Sequence, residues 1–290
     1  MTDQAPNRHL FCFGLGYSAL VLARRLLAQG WRVSGTVRDD AQLAFLAREG
    51  IAAHVFPLVD PHAALEGTSH LLSSVPPDAT GDPVLIAHSG DLAARAGQWC
   101  WAGYLSTTGV YGNRDGGWVD ETSALEPTGE RGARRVMAEA AWLGLPLPVH
   151  VFRLAGIYGP GRNAFVNLAA GTARRIAKPG QVFSRIHVDD IARVIEASMA
   201  RPHPGRVYNV CDDDPAPPET VVAFAAELRG EAPPPVVPFD AAALSEMARS
   251  FYADNKRVSN RRIKDELGVM LEFPSYREGL QALLQSHRSS

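Results

Sequence analysis

The run His9-Leu10-Phe11-Cys12-Phe13, the turn Gly14-Leu15-Gly16-Tyr17-Ser18-Ala19 and the apolar-periodic residues through Leu27 constrain this chain more than any other stretch. A short apolar run, a glycine turn and an amphipathic segment, in that order, read as strand, turn and helix. The turn has the spacing G-x-G-x-x-A, and each position has a physical reason. Gly14 permits the tight turn. Gly16 has no Cβ to keep a pyrophosphate off the backbone. Ala19 is small enough for the helix to lie close on the strand. Backbone N–H groups and the positive helix end then face phosphates, so Gly14, Gly16, Tyr17, Ser18 and Ala19 are the expected cofactor contacts. Leu20, Ala23, Leu26 and Leu27 share one helix face, Gly30 stops the helix, and Trp31–Val37 follows as a second strand. This complete strand–helix–strand context separates a dinucleotide site from a plain turn.

The second strand delivers Arg38-Asp39-Asp40. At that strand end an acidic residue holds a ribose 2′-hydroxyl, whereas an arginine accommodates a 2′-phosphate. Arg38 comes first, and its planar fork suits a phosphate and can stack on adenine. The expected cofactor is NADP(H). NAD(H) is the alternative, with Asp39 on the ribose.

Strands and helices keep alternating. Ala52–Phe56, His70–Val75, Gly103–Ser106 and Val149–Arg153 read as strands, with helices at Ala41–Glu49, Leu85–Ala96 and Arg131–Leu143. That alternation predicts an α/β protein with a Rossmann-type, doubly wound parallel sheet and ligands at the carboxyl ends of its strands. Ser74 and Val75, at the end of the fourth strand, are further expected cofactor contacts. After Asp212 the chain turns proline-rich, and helices at 219–228, 241–249, 260–267 and 276–285 predict a smaller, mostly helical substrate lobe. The expected division is a dinucleotide-binding domain over 1–154, with 186–212 returning to it, and a small lobe from 155–185 and 213–290.

Composition narrows the function classes. The 290 residues carry a formal net charge of −2 with both signs interspersed, which is no nucleic-acid footprint. No apolar run has membrane-spanning length, and the polar start reads as no signal peptide, so a cytoplasmic protein with a small-molecule substrate is expected. A homodimer is the default assembly. Cys12, Cys100 and Cys211 lie far apart without ligand spacing, which predicts reduced thiols rather than a metal site or disulfide.

Four later motifs fall in register: Ser106-Thr107-Thr108-Gly109-Val110-Tyr111-Gly112, Arg153-Leu154-Ala155-Gly156-Ile157-Tyr158-Gly159-Pro160-Gly161, Ile186-His187-Val188-Asp189-Asp190-Ile191-Ala192 and Tyr208-Asn209-Val210. Together with the glycine turn they resemble the extended short-chain dehydrogenase/reductase family, the group of NAD(P)-dependent nucleotide-sugar epimerases and dehydratases, over nearly the whole chain. The resemblance implies a Ser/Thr holding the substrate oxygen, matched by Thr107, and a helix motif Tyr-Gly-x-x-Lys-x-x-x-Glu. The matching stretch is Arg131-Gly132-Ala133-Arg134-Arg135-Val136-Met137-Ala138-Glu139. Gly and Glu align, but Arg131 stands at the tyrosine and Arg135 at the lysine. No tyrosine lies between Tyr111 and Tyr158, and no lysine precedes Lys178, so no shift of register restores the pair. The chain therefore resembles the atypical members that lack Tyr-x-x-x-Lys.

An arginine stays protonated at ordinary pH, so Arg131 cannot cycle a proton. It can stabilise an oxyanion, and Arg135 can keep the lysine's electrostatic and ribose-binding part. Tyr111 is the candidate proton donor, with packing beside the cofactor as its alternative; Glu121 and Glu130 are further possible acids. Thr108, Arg153, Asn163 and Arg185 are candidate substrate contacts, and arginines 131, 153 and 185 together favour an anionic substrate. Asp189 and Asp190 read as helix-capping carboxylates rather than metal ligands. Two functions remain open. One is an NADP(H)-dependent oxidoreductase or epimerase/dehydratase-like enzyme on a small anionic or nucleotide-linked substrate. The other is a catalytically silent dinucleotide-sensing or binding protein.

Overall fold

The computed structural model describes residues 8–288. β1 (His9–Phe13) passes through the glycine turn into α1 (Tyr17–Ala28), followed by β2 (Arg32–Val37), α2 (Leu43–Arg48), β3 (Ala52–Val55), α3 (Pro61–Ala64), β4 (His70–Ser73), α4 (Pro83–Ala94) and β5 (Trp101–Thr107). Next come β6 (Trp118–Val119), α5 (Glu130–Leu143), β7 (Val149–Leu154), β8 (Gly156–Tyr158), α6 (Ala164–Ala169), β9 (Arg175–Ala177), β10 (Arg185–His187), α7 (Val188–Ala200) and β11 (Val207–Val210). The remainder is α8 (Pro218–Leu228), β12 (Val236–Pro238), α9 (Glu246–Ala253), β13 (Arg257–Val258), α10 (Arg261–Leu267) and α11 (Tyr276–Arg288).

Seven strands form one parallel sheet in the order β11-β7-β5-β4-β1-β2-β3, the doubly wound arrangement expected from the alternation. Its order reverses between β1 and β4, which pair with Phe13 opposite Ser73. Crevices for ligands open at the carboxyl ends of strands at such a switch point. The five residues of β1 are all buried, as a strand covered on both faces must be.

Packing divides the chain into two compact units. The first runs up to Ser106 and adds Arg134–Arg153 and Ala192–Tyr208. Phe11, Phe13, Leu71, Val84, Tyr104, Trp142 and Val151 belong to its core. Asp82 closes one corner: Oδ1 accepts from Val84 N (2.9 Å) and Leu85 N (3.2 Å), and Oδ2 accepts from Trp142 Nε1 (3.0 Å). At the amino ends of the strands lie His9, His70 and His150, all buried, with the Trp101 ring stacked on His150 at 5.7 Å.

The second unit holds Thr107–Ala133, Leu154–Ile191 and the chain from Asn209 onward. Tyr158, Phe165, Val221, Tyr276 and Leu280 share its main core. Asp190 lies in the first turn of α7, as the sequence suggested, and also reaches beyond its own helix. Its two oxygens accept from Glu272 N (2.8 Å) and Phe273 N (3.0 Å), so it pins a distant loop. Among the described residues no helix is long and apolar enough to cross a membrane.

Candidate functional site

In the first unit the glycine turn is built by close approach. Gly14 has φ +84°, its N–H donates to Thr36 Oγ1 (3.0 Å), and its carbonyl accepts from Ser74 Oγ (2.5 Å). A Cβ on Gly14 would lie 2.9 Å from Ser74 Oγ and 3.1 Å from Val75 Cγ2, so only glycine lets the ends of β1 and β4 meet. Gly16 differs: it is exposed, and apart from its own chain neighbours no protein atom lies within 4 Å of its Cβ position. No side chain caps α1. Ser18 and Ala19 are buried, so they can offer a ligand backbone rather than side chain. Arg38 is exposed directly after β2. Ser73, fully buried at the end of β4, has an Oγ with no partner.

Arg135 is not free for a ribose in the way a lysine there would be. Its Nη1 donates to Tyr104 OH (2.9 Å) and Leu105 O (2.7 Å), and its guanidinium lies over the Tyr104 ring at 5.6 Å. Two residues assigned separate parts by the sequence prove to be one buried pair. Arg153 Nη2 donates to Glu139 Oε2 at 2.7 Å and its Nε to both carboxylate oxygens at 3.1 Å, while Ser106 Oγ donates to Oε1 at 2.5 Å. Glu139 and Arg153 are 3 % and 4 % exposed. Arg153 is therefore removed from the substrate contacts: its charge is spent inside the unit.

In the second unit Thr107 Oγ1 accepts from Gly109 N (3.1 Å), which leaves the hydroxyl proton to donate outward; Thr107 and Thr108 are both half-buried. Tyr111 is fully buried and donates to Asn209 Oδ1 at 2.7 Å. This corrects its assignment as proton donor, because a phenol walled off from solvent and committed to an amide has no route to a substrate. Asn163 is corrected too. It is the N-cap of α6, accepting from Phe165 N (2.9 Å) and Val166 N (3.2 Å) and donating to Gly159 O (2.8 Å). Arg185 Nη1 donates to Phe183 O (2.8 Å) and Ala216 O (3.0 Å). Burial lowers the Arg185 pKa, partly offset by Asp212. Asp212, 1 % exposed with Oδ2 unpartnered, is pushed up to about 8 by burial, against the pull of Arg185. Glu121 accepts from Asn209 N at 2.8 Å and its pKa is raised by burial, so it braces β11.

Arg131 keeps its donors unspent. It is exposed, and its guanidinium sits 5.7 Å from the Phe251 ring centre. A Cβ on Gly132 would lie 2.8 Å from Gly109 O, so the start of α5 rests on the turn that carries Thr107. Lys256 donates to Gly112 O and Asp254 Oδ2, each at 2.9 Å, and Thr128 Oγ1 donates to Asp254 Oδ1 at 2.5 Å. Burial lowers the Lys256 pKa and Asp254 opposes that shift. Among the described residues no group of three or more His, Cys, Asp or Glu could hold a metal ion.

No family model matches the chain. A conserved protein of unknown function from Silicibacter pomeroyi is 58 % identical, with 96 % of this chain and 98 % of that one covered and a TM-score of 0.92. A Methylobacillus flagellatus protein classed with the NAD-dependent epimerase/dehydratases is 28 % identical, over 98 % of this chain and all of its own, at a TM-score of 0.71. The chain has the fold of the NAD-dependent epimerase/dehydratases, in keeping with the resemblance of its motifs to the extended short-chain dehydrogenase/reductases. A dTDP-glucose 4,6-dehydratase from Bacillus anthracis in complex with NAD, 15 % identical over 97 % of this chain and 96 % of its own with a TM-score of 0.76, shares the fold.

Arg131 and Arg135 stand where the sequence departs from the pattern it resembles, and the structure gives the two arginines different surroundings. Arg135 is anchored on β5; Arg131 is exposed. Phe251 and Lys256 were not found from the sequence. Lys256 left one usable signal: it is one of only three lysines in an arginine-rich chain. Phe251 left none, because an aromatic in an amphipathic helix reads as core.

Proposed function

We propose that the protein is an NADP(H)-binding oxidoreductase of the epimerase/dehydratase type that acts on a small anionic substrate. The observation that carries this reading is Gly16, exposed with no protein atom beyond its chain neighbours within 4 Å of its Cβ position. Packing does not require a glycine there, whereas a pyrophosphate lying on the backbone does. The N–H groups of Gly16, Tyr17, Ser18 and Ala19 would hold the pyrophosphate. Ser74 and Val75 would flank the nicotinamide half, and Arg38 would take the 2′-phosphate. The likeness to an NAD-dependent epimerase/dehydratase and to a dehydratase in complex with NAD supports a dinucleotide.

When bound, the cofactor supplies or accepts a hydride. Thr107 would donate its free proton to the substrate oxygen, and Thr108 lies next to it. Arg131 would stabilise negative charge on that oxygen or on the substrate, and it cannot serve as a base. With Tyr111 committed to Asn209, proton delivery falls to water.

The same commitment favours a second reading, a catalytically silent dinucleotide sensor. Full-length protein with bound NADPH, offered small carbonyl acids and nucleotide sugars, separates the two. Oxidation of NADPH that Thr107→Val abolishes supports the enzyme. Tight nucleotide binding without oxidation of NADPH by any of these compounds supports the sensor.

A further inference from the structure

We propose that Arg131 and Phe251 form a subsite for a carboxylate carried by the substrate, with the substrate's apolar part lying on the Phe251 ring. This rests on the reading above that the second unit binds a substrate. Of the three arginines that the sequence offered to an anion, Arg153 is spent on Glu139, and Arg185 donates to the carbonyls of Phe183 and Ala216. Arg131 makes no hydrogen bond or ion pair among the described residues, and its ring contact is Phe251. Phe251 is 55 % exposed. A guanidinium over an aromatic face keeps its in-plane N–H groups available. Two parallel N–H groups match the two oxygens of a carboxylate.

Both oxygens of Asp254 are occupied, by Thr128 and by Lys256, and Glu126 is paired with Arg114. The packing of Gly132 on Gly109 O holds Arg131 beside the turn whose Thr107 hydroxyl can donate.

The test uses the full chain and four probes: phenylacetate, acetate, inorganic phosphate and neutral phenethyl alcohol. Binding is followed at the Nε–Hε resonance of Arg131 by NMR, assigned through its loss in Arg131→Gln. Phenylacetate is expected to shift that resonance and to bind more tightly than acetate, with no response to the neutral alcohol. Arg131→Gln should weaken phenylacetate about tenfold or more, and Phe251→Leu about threefold. Neither should change NADPH affinity or the urea midpoint, which shows that both variants fold. Phosphate binding as tight as phenylacetate and indifferent to Phe251→Leu would overturn the carboxylate assignment. No response of wild type to any probe, or unchanged binding in Arg131→Gln, overturns the subsite itself. Phenylacetate binding in a wild type that fails to bind NADPH would instead sink the dinucleotide reading and leave the subsite standing.

Discussion

The two units handle buried polar groups differently. In the first, Glu139 is matched on both oxygens by Arg153 and Ser106, and Asp82 on both by α4 and Trp142. In the second, Asp212 Oδ2, Tyr276 OH, Gln181 Oε1, His187 Nε2 and Glu219 Oε2 are buried without partners. An unsatisfied buried group costs about 1–3 kcal/mol, so such groups persist where water or a ligand completes them. The first unit has such gaps too, at His9 Nδ1 on the amino end of β1 and at Ser73 Oγ on the carboxyl end of β4, the strand whose next residue, Ser74, bonds Gly14. Among the described residues the second unit leaves more buried polar atoms open than the first.

Breaking the closed network should have the largest effect. Arg153→Met leaves the Glu139 charge buried and unpaired, which should cost about 3–5 kcal/mol in urea unfolding. Adding Glu139→Gln should recover most of it. A single-variant loss below about 1 kcal/mol would show that the pair is not the anchor described here. Next in size is the glycine turn. Gly16→Leu enters open space, so the thermal midpoint should hold while nucleotide affinity falls about tenfold or more. Gly14→Ala should instead destabilise, since its φ is +84° and Ser74 Oγ stands 2.9 Å from the added Cβ. Equal affinity in Gly16→Leu would remove the reason given for that glycine.

Tyr111→Phe tests a smaller term. It removes the bond to Asn209 and should cost about 1 kcal/mol of stability without changing nucleotide affinity. The effects of pH run in opposite directions. Burial holds His70 and His150 at about 4, while unfolded histidines titrate near 6.5. The unfolded chain therefore binds more protons between these values, and this contribution is full above pH 6.5 and shrinks as pH falls towards 4. Asp212 is raised from 3.8 to about 8. Its contribution is full below 3.8 and is lost as pH rises through 8. Hydrogen exchange corrected for intrinsic rates should show β4 and β7 loosening first in acid and the Asp212 loop first in mild alkali. Asp212→Asn should flatten the alkaline change alone.

Local patterns were legible in the sequence, and distant pairings were not. The turn after β1 could be read because strand, glycines and helix periodicity lie within some twenty residues. The parallel sheet followed from the alternation. Arg153 and Asn163 were misassigned although both carried signals. An arginine inside the apolar run Val149–Leu154 implies a buried partner, and an asparagine before Ala164-Phe165-Val166 is an N-cap. Tyr111 and Phe251 could not be placed, because their burial and exposure depend on Asn209 and Arg131, which lie about a hundred residues away.

The central claim is that the first unit binds a nicotinamide dinucleotide through the Gly14–Ala19 turn and Arg38. Titration of the full chain with NADPH and NADH, following nicotinamide fluorescence in wild type and Arg38→Ala, tests it most directly. Tighter binding of NADPH, with the preference lost in Arg38→Ala, is the predicted result. Binding of neither nucleotide would contradict the account and leave only the fold.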